Sequence, residues 1–151
     1  MIALEDLRKQ VLFEDLDEES LRKIASKLKT INFKRGETLF NEGDEAKGIY
    51  LINSGKIEVT KATPDGWRQT LAHFGPGNFC GELSIIENRR HEARAVAIEN
   101  VAVFLLSTEE FQRIEEQDLL LASKILKKLI LILSKNIRLM NERFLKALVN
   151  Y

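Results

Sequence analysis

Hydrophobic residues recur at three- and four-residue steps through residues 3–29, and no glycine or proline interrupts them. This spacing predicts N-terminal helices over residues 1–29. Asp17 or Ser20 can cap the second of these helices, which we place over residues 18–28. The chain therefore begins with amphipathic helices that need a partner surface for their apolar side.

The pattern changes at Thr30. All eight glycines and both prolines fall in residues 30–107, where short hydrophobic segments alternate with turn residues. The predicted strands are 38–40, 48–52, 56–61, 69–74, 93–98 and 101–106. Six or more short strands at near-regular spacing predict a sandwich or a jelly roll.

Helical spacing returns in residues 108–151. A short helix is predicted over 108–116, capped by Thr108, and one long helix over 119–150. The apolar residues of the long helix fall into three heptad columns, which are Leu126, Leu133 and Met140; Ile130, Ile137 and Phe144; and Ile125, Ile132 and Leu139. Three columns make a face wider than a two-column seam. We predict that 119–150 pairs with a second copy in a homodimer; the alternative is a core helix laid along the β structure.

Composition narrows the class of protein. A chain of 151 residues, 44% hydrophobic and 30% charged, suits one globular domain spanning 1–151. One cysteine, Cys80, excludes an internal disulfide framework, and two histidines, His73 and His91, leave little for a metal centre, so no metal is expected. The longest apolar run, residues 129–133, is far shorter than the roughly 20 residues that span a bilayer. With no signal sequence at the start, we expect a cytoplasmic protein without a membrane span.

The net charge of zero hides an asymmetry. Residues 1–118 carry 16 basic and 22 acidic side chains, whereas residues 119–151 carry seven basic and one acidic. We predict that the basic helix lies against the acidic body. Because the total is neutral and the chain ends at Tyr151, directly after the long helix, we expect no recognition helix and no nucleic-acid partner.

Two stretches carry the candidate chemistry. Residues 33–44 are FKRGETLFNEGD, followed by IYLI and GKIEV, and residues 76–86 are PGNFCGELSII. Together they resemble the cyclic nucleotide-binding domain family, the β-roll module of catabolite-activator-type regulators, protein kinase A regulatory subunits and cyclic nucleotide-gated channels. The resemblance implies a mainly β fold with flanking α, a jelly-roll β-roll with N-terminal helices and a long C-terminal helix.

The second stretch is similar to the phosphate-binding cassette of that family, in which a strand end turns into a short helix. The resemblance implies that Glu82 holds a ribose 2′-hydroxyl, that the backbone amides of Gly81 and Ser84 face ribose and phosphate, and that Leu83 belongs to the same turn. It also implies cAMP or cGMP as a regulatory ligand. The alternative is that the motif only begins a structural helix.

One segment departs from the family pattern. Ligand-binding members usually have Pro-Arg-Ser-Ala where this chain has Arg90-His91-Glu92-Ala93. Anchored on Ala93, the arginine position holds His91 and the hydroxyl position holds Glu92, so a permanent charge is replaced by a neutral ring. A one-residue bulge could instead bring Arg90 to the phosphate, or a neighbouring arginine, Arg89 or Arg94, could reach in.

His91 has two interpretations at this stage. It is either an ordinary surface histidine on a strand or a phosphate contact, and in the second case cyclic nucleotide affinity should rise on acidification. The candidate ligand-binding residues are Gly81, Glu82, Leu83, Ser84, Arg90, His91, Glu92 and Ala93.

The function that follows is a non-enzymatic cyclic nucleotide sensor. The resemblance implies that the C-terminal helix swings to cover the base and signals through the dimer to an unidentified downstream protein. A catalytic jelly roll would need clustered histidine and carboxylate ligands, and Cys80 is more simply a buried apolar filler. The alternatives are a nucleotide-independent scaffold of the same fold, or a fragment of a transcriptional regulator that lacks its DNA-binding part.

Overall fold

Two four-stranded antiparallel sheets form the centre of the molecule in the computed structural model, which describes residues 2–150. Met1 and Tyr151, the ends of the predicted single domain, lie outside the described residues. The strands are β1 (Lys29–Phe33), β2 (Thr38–Phe40), β3 (Gly48–Ser54), β4 (Ile57–Ala62), β5 (Arg68–Phe74), β6 (Phe79–Cys80), β7 (Arg94–Ala97) and β8 (Val101–Ser107). The helices are α1 (Leu4–Arg8), a 3₁₀ turn (Val11–Phe13), α2 (Glu18–Ala25), α3 (Glu82–Glu87), α4 (Thr108–Gln117) and α5 (Leu119–Val149).

The strand order is β1-β8-β3-β6 in one sheet and β2-β7-β4-β5 in the other. Alternation along β3 shows how the layers are built, because successive side chains point to opposite faces of a sheet. Tyr50 and Ile52 belong to the core between the sheets, whereas Ile49 and Leu51 pack in a second core with the helices. The predicted β-roll with flanking helices is confirmed.

Two strands were not predicted. The helical spacing of the N-terminal region ends at Ala25, and Lys29–Phe33 is an edge strand paired with β8. The second, Phe79–Cys80, has only two residues and pairs with β3. The six predicted strands are all present. Residues 38–40 have the predicted ends, and the other five strands differ from the prediction by at most two residues at an end.

The N-terminal cap of α2 is as predicted, whereas that of α4 differs from the prediction. Asp17 caps α2, and its carboxylate accepts a hydrogen bond from the Ser20 amide at 2.8 Å. The cap of α4 is Ser107, whose hydroxyl accepts from the Glu110 amide at 3.1 Å, and not Thr108 as predicted. Thr108 is the first residue inside the helix, and its hydroxyl donates to the Ala46 carbonyl at 2.8 Å.

The long helix α5 packs on the body only through its first part. Leu121, Ala122, Ile125 and Leu129 are buried in the core shared with the other helices, whereas every described residue from 134 onward is exposed. The apolar face predicted from the heptad columns is thus covered in part. Among residues 2–150, no helix combines the length and the hydrophobicity that crossing a membrane requires.

Ion pairs hold the start of α5 against the acidic N-terminal region. The Lys128 ammonium lies 2.9 Å from a Glu14 oxygen and 2.6 Å from an Asp15 oxygen, and Lys124 lies 3.7 Å from Asp17. Both carboxylates raise the pKa of Lys128 above its usual value. The predicted contact between basic helix and acidic body is therefore present at the N-terminal part of α5.

Candidate functional site

A cavity of about 310 Å³ lies beside α3, against the sheet that contains β4 and β5. All eight residues proposed from the sequence line it, although 81–84 and 90–93 belong to separate segments. The strand side is apolar and comes from Val59, Leu71, Ala72 and Phe74. Sequence reasoning missed these four residues, because their placement depends on which face of each strand turns toward α3.

The turn between β6 and α3 forms one end of the cavity. Gly81 has a φ of 90°, a left-handed conformation that glycine adopts most easily, and α3 begins at the next residue, Glu82. A Cβ at Gly81 would lie 3.0 Å from the Gly48 carbonyl oxygen, so the backbone approaches β3 closely. The strand end that turns into a short helix is present as predicted.

Burial shifts the pKa of two ionisable groups at this turn. Burial raises the pKa of the Glu82 carboxyl above its usual value, and it raises the pKa of the Cys80 thiol strongly. Cys80 lies in the core between the sheets, which confirms that it is an apolar filler. Both residues line the cavity, but only Glu82 is half-exposed, and its carboxyl can meet a ligand there.

His91 is buried, and the interpretation as a surface histidine is wrong. Its exposed fraction is 4%, and its ring stacks on Phe40 with centroids 3.7 Å apart. Nδ1 lies 3.0 Å from the Ser84 hydroxyl oxygen, while Nε2 is buried without a hydrogen-bond partner among the described residues. Burial lowers the pKa of His91 below its usual value, against a smaller opposite effect of Asp44.

The backbone holds His91 in this position. Its amide donates to the Asp44 carbonyl at 3.0 Å, and its own carbonyl accepts from the Gly43 amide at 2.8 Å. The segment before β7 is thereby tied to the turn after β2, and the His91 ring faces Ser84 across the cavity end.

The neighbouring arginines have their guanidinium groups bound elsewhere. Arg90 is 64% exposed, donates to the Gly43 carbonyl at 2.9 Å and lies 3.5 Å from Glu45. Arg89 pairs with Glu87 and Glu92 on the rim of the cavity. Arg94 donates to the Asn41 side chain at 3.1 Å. The side chain hydrogen-bonded to Ser84 is that of His91. The register shift between β2 and β7 lies between Thr38 and Phe40 of β2, and not in the segment before Ala93.

The β-roll, the cassette-like turn and the cavity together match one known family. The model of the cyclic nucleotide-binding domain matches residues 30–118, more than half of the chain. This chain belongs to the cyclic nucleotide-binding domain family. Among curated relatives, the CRP-like cAMP-activated global transcriptional regulator of Mycobacterium tuberculosis is 31% identical over 97 residues, which are 64% of this chain and 43% of that protein. The chain thus spans less than half the length of that relative.

Solved structures of the same family share the fold. The catabolite activator protein of Thermus thermophilus has a TM-score of 0.78 and 26% identity, covering 89% of this chain and 62% of that one. The regulatory subunit of a cAMP-independent protein kinase A from Trypanosoma cruzi, bound to guanosine, has a TM-score of 0.70 and 26% identity, covering 76% of this chain and 40% of that one. The relatives named here are regulatory proteins.

The two positions at which the sequence departs from the Pro-Arg-Ser-Ala pattern differ in burial. His91, predicted at the arginine position, is buried, whereas Glu92, predicted at the hydroxyl position, lies on the rim paired with Arg89 and, at 3.8 Å, with Lys61. Helix α5 contributes no lining residue in the described part of the chain. Its movement over a bound base stays a prediction.

Proposed function

We propose that this domain is the ligand-sensing part of a regulator and that cAMP or cGMP binds in the cavity beside α3. The observation that carries the proposal is the convergence of two separate segments, 81–84 and 90–93, on one cavity of a cyclic nucleotide-binding domain. Curated relatives named as cAMP-activated or cAMP-dependent regulators support the choice of ligand. We expect the regulator to act in the cytoplasm and without catalysis.

Each part of a cyclic nucleotide has a matching part of the cavity. The Glu82 carboxyl is half-buried beside the Gly81 turn and lines the cavity, and a ribose hydroxyl could donate a hydrogen bond to it there. The backbone at Gly81 and Ser84 faces ribose and phosphate in this arrangement. The apolar strand residues Val59, Leu71 and Phe74 supply a surface for a purine.

Helix α5 is the proposed output element. Its second half exposes large apolar residues, among them Ile137, Met140 and Phe144, in the columns that predict pairing with a second copy. Its first half is held to the body by Lys128 and by the buried Ile125. Ligand binding that moves this helix would change the dimer and the surface offered to a downstream protein.

Two alternatives to a ligand sensor use the same fold. A nucleotide-independent scaffold would keep the fold and the dimer helix while leaving the cavity unused. A fragment of a transcriptional regulator would place DNA contacts in the part of the protein beyond this chain, and the Mycobacterium tuberculosis relative named as a transcriptional regulator is longer than the matched region. In either case residues 2–150 themselves are expected to leave a DNA duplex unshifted at physiological salt.

The test is isothermal titration with cAMP and with cGMP of the wild type, Glu82→Ala and Glu99→Ala. Glu99 is an exposed carboxylate outside the cavity and serves as the matched control. We expect micromolar binding to the wild type and to Glu99→Ala, and at least about tenfold weaker binding to Glu82→Ala, because a hydrogen bond to a charged group contributes about 1.5–3 kcal/mol. Far-ultraviolet circular dichroism checks that each variant is folded.

Three results would count against the proposal. Absence of heat with either nucleotide leaves the scaffold as the better description. Equal binding to the wild type and Glu82→Ala places the ligand elsewhere. Equal weakening in Glu82→Ala and Glu99→Ala shows a general effect of lost negative charge and not a ribose contact.

A further inference from the structure

The imidazole of His91 lines the cavity next to Ser84, and its surroundings favour the neutral form of the ring. The His91 Nδ1 is bonded to the Ser84 hydroxyl, and Nε2 is buried without a partner among the described residues. A protonated imidazole carries an N–H on both nitrogens. The second N–H would be charged, buried and unpaired, which is far costlier than a neutral ring in the same place.

The two arginines that line the cavity already have partners on the protein surface. Arg89 lies between the carboxylates of Glu87 and Glu92, and Arg90 donates to the Gly43 carbonyl and lies near Glu45. Turning either guanidinium toward a ligand would break these contacts. A phosphate that recruited either guanidinium would exchange one exposed contact for another, so its net gain would be small.

The remaining charges that line the cavity are negative. Three carboxyl groups, those of Glu82, Glu87 and Glu92, line it together with Arg89 and Arg90, which already contact other groups of the protein. An entering phosphodiester gives up part of its hydration and meets these carboxyl groups, with the backbone amides at Gly81 and Ser84 as its donors and no free cation beside it. An uncharged ligand avoids that cost, and its hydroxyl groups can donate to carboxylates and either donate to or accept from a neutral imidazole.

We propose that the cavity recognises the nucleoside part of its ligand and gains no affinity from the phosphate, so that an uncharged purine nucleoside binds at least as tightly as the cyclic nucleotide of the same base. This inference rests on the proposed function, because it uses the same cavity and the same ribose contact with Glu82. It makes His91 the residue that sets the preference between uncharged and anionic ligands.

The test compares affinities within one base. Wild-type protein is titrated at about pH 7.5, where an ordinary histidine is neutral, with adenosine, cAMP, guanosine and cGMP. For at least one base we expect the nucleoside to bind as tightly as the cyclic nucleotide or more tightly. His91→Arg returns a permanent, forked cation to the same place, and we expect it to improve the affinity for the cyclic nucleotide relative to the nucleoside by about tenfold or more.

Two further variants separate charge from structure. His73→Arg makes the same chemical change on β5, where His73 is 55% exposed, pairs with Glu58 and does not line the cavity, and we expect the ratio of affinities to stay as in the wild type. His91→Gln keeps a neutral side chain at the site and should also leave the ratio unchanged. If His91→Arg does not fold, the inference is still tested by the ratio of nucleoside to cyclic nucleotide affinity in the wild type and in His91→Gln.

The outcomes separate this inference from the proposed function. Cyclic nucleotides that bind wild type about tenfold more tightly than the matching nucleosides overturn the inference and leave the proposed function standing. An equal gain from His91→Arg and His73→Arg also overturns it, because the effect would then be general attraction by added charge. If neither ligand class binds to any folded variant, both proposals fail together.

Discussion

Replacing Gly81 by alanine tests whether the start of α3 is fixed by its close approach to β3. Gly81 has a φ of 90°, and an alanine Cβ there would lie 3.0 Å from the Gly48 carbonyl oxygen and 3.5 Å from Tyr50 Cδ2. A non-glycine residue in the left-handed region costs roughly 1–2 kcal/mol. Displacing a backbone carbonyl that is held in a strand adds about 1–2 kcal/mol, within the usual range for overpacking. We expect Gly81→Ala to lower the free energy of unfolding by about 2–4 kcal/mol.

The chain supplies a control for the backbone conformation alone. Gly66 has nearly the same φ, 92°, and a Cβ there would meet nothing within 4 Å. Gly66→Ala should therefore cost about 1–2 kcal/mol from the left-handed conformation. The effect of alanine on the unfolded chain is the same in both variants and cancels in the comparison. What remains is the crowding between Gly81 and Gly48.

Urea unfolding followed by far-ultraviolet circular dichroism measures both variants. Circular dichroism is preferred to fluorescence because Trp67, the single tryptophan, is exposed next to Gly66 and reports poorly on the core. Destabilisation by Gly81→Ala that exceeds that of Gly66→Ala by about 1 kcal/mol or more supports the reasoning. Equal destabilisation would show that the turn can relax away from Gly48 and that the close approach does not fix the start of α3.

Two further predictions concern titration and the attachment of α5. Because burial holds the pKa of His91 below its ordinary 6.5, the unfolded chain takes up a proton that the folded chain does not, so stability should fall as the pH drops through and below that value. His91→Gln should flatten this fall in urea unfolding between about pH 5 and 7.5, and parallel profiles would contradict the assignment. Lys128→Ala should cost about 1 kcal/mol because Lys128 meets both Glu14 and Asp15, and the loss should shrink as salt is raised. Lys135→Ala, on an exposed part of α5, is the control, and equal effects of the two would refute the attachment.

The β-roll was predictable because its signals are local. Short, continuous apolar runs in β3 and β8, separated from their neighbours by glycine-containing turns, predict strands. The edge strand β1 was missed because its residues, Lys29–Phe33, follow a helical pattern directly and are mostly exposed or half-buried. The strand β6 was missed because Phe79–Cys80 is too short to show a period. Only pairing with β3 makes it a strand.

The site residues were predictable as a set, because two linear motifs carry them, but their roles were not. Sequence alone left Arg89, Arg90, His91 and Arg94 as rivals for one position. The structure distinguishes them through hydrogen bonds to residues far away in the chain, such as those from Arg90 to Gly43 and from Arg94 to Asn41. Sequence spacing within residues 89–94 contains no information about those partners.

The acidic side chains of the body form ion pairs in two places, at the start of α5 and at the rim of the cavity. The acidic excess of the body pairs with the start of α5 through Glu14 and Asp15, which accounts for the contact with Lys128. The same excess supplies Glu87 and Glu92, which occupy Arg89 at the cavity rim. Because these two carboxylates pair with Arg89, that guanidinium is not free to meet an anionic ligand at the rim.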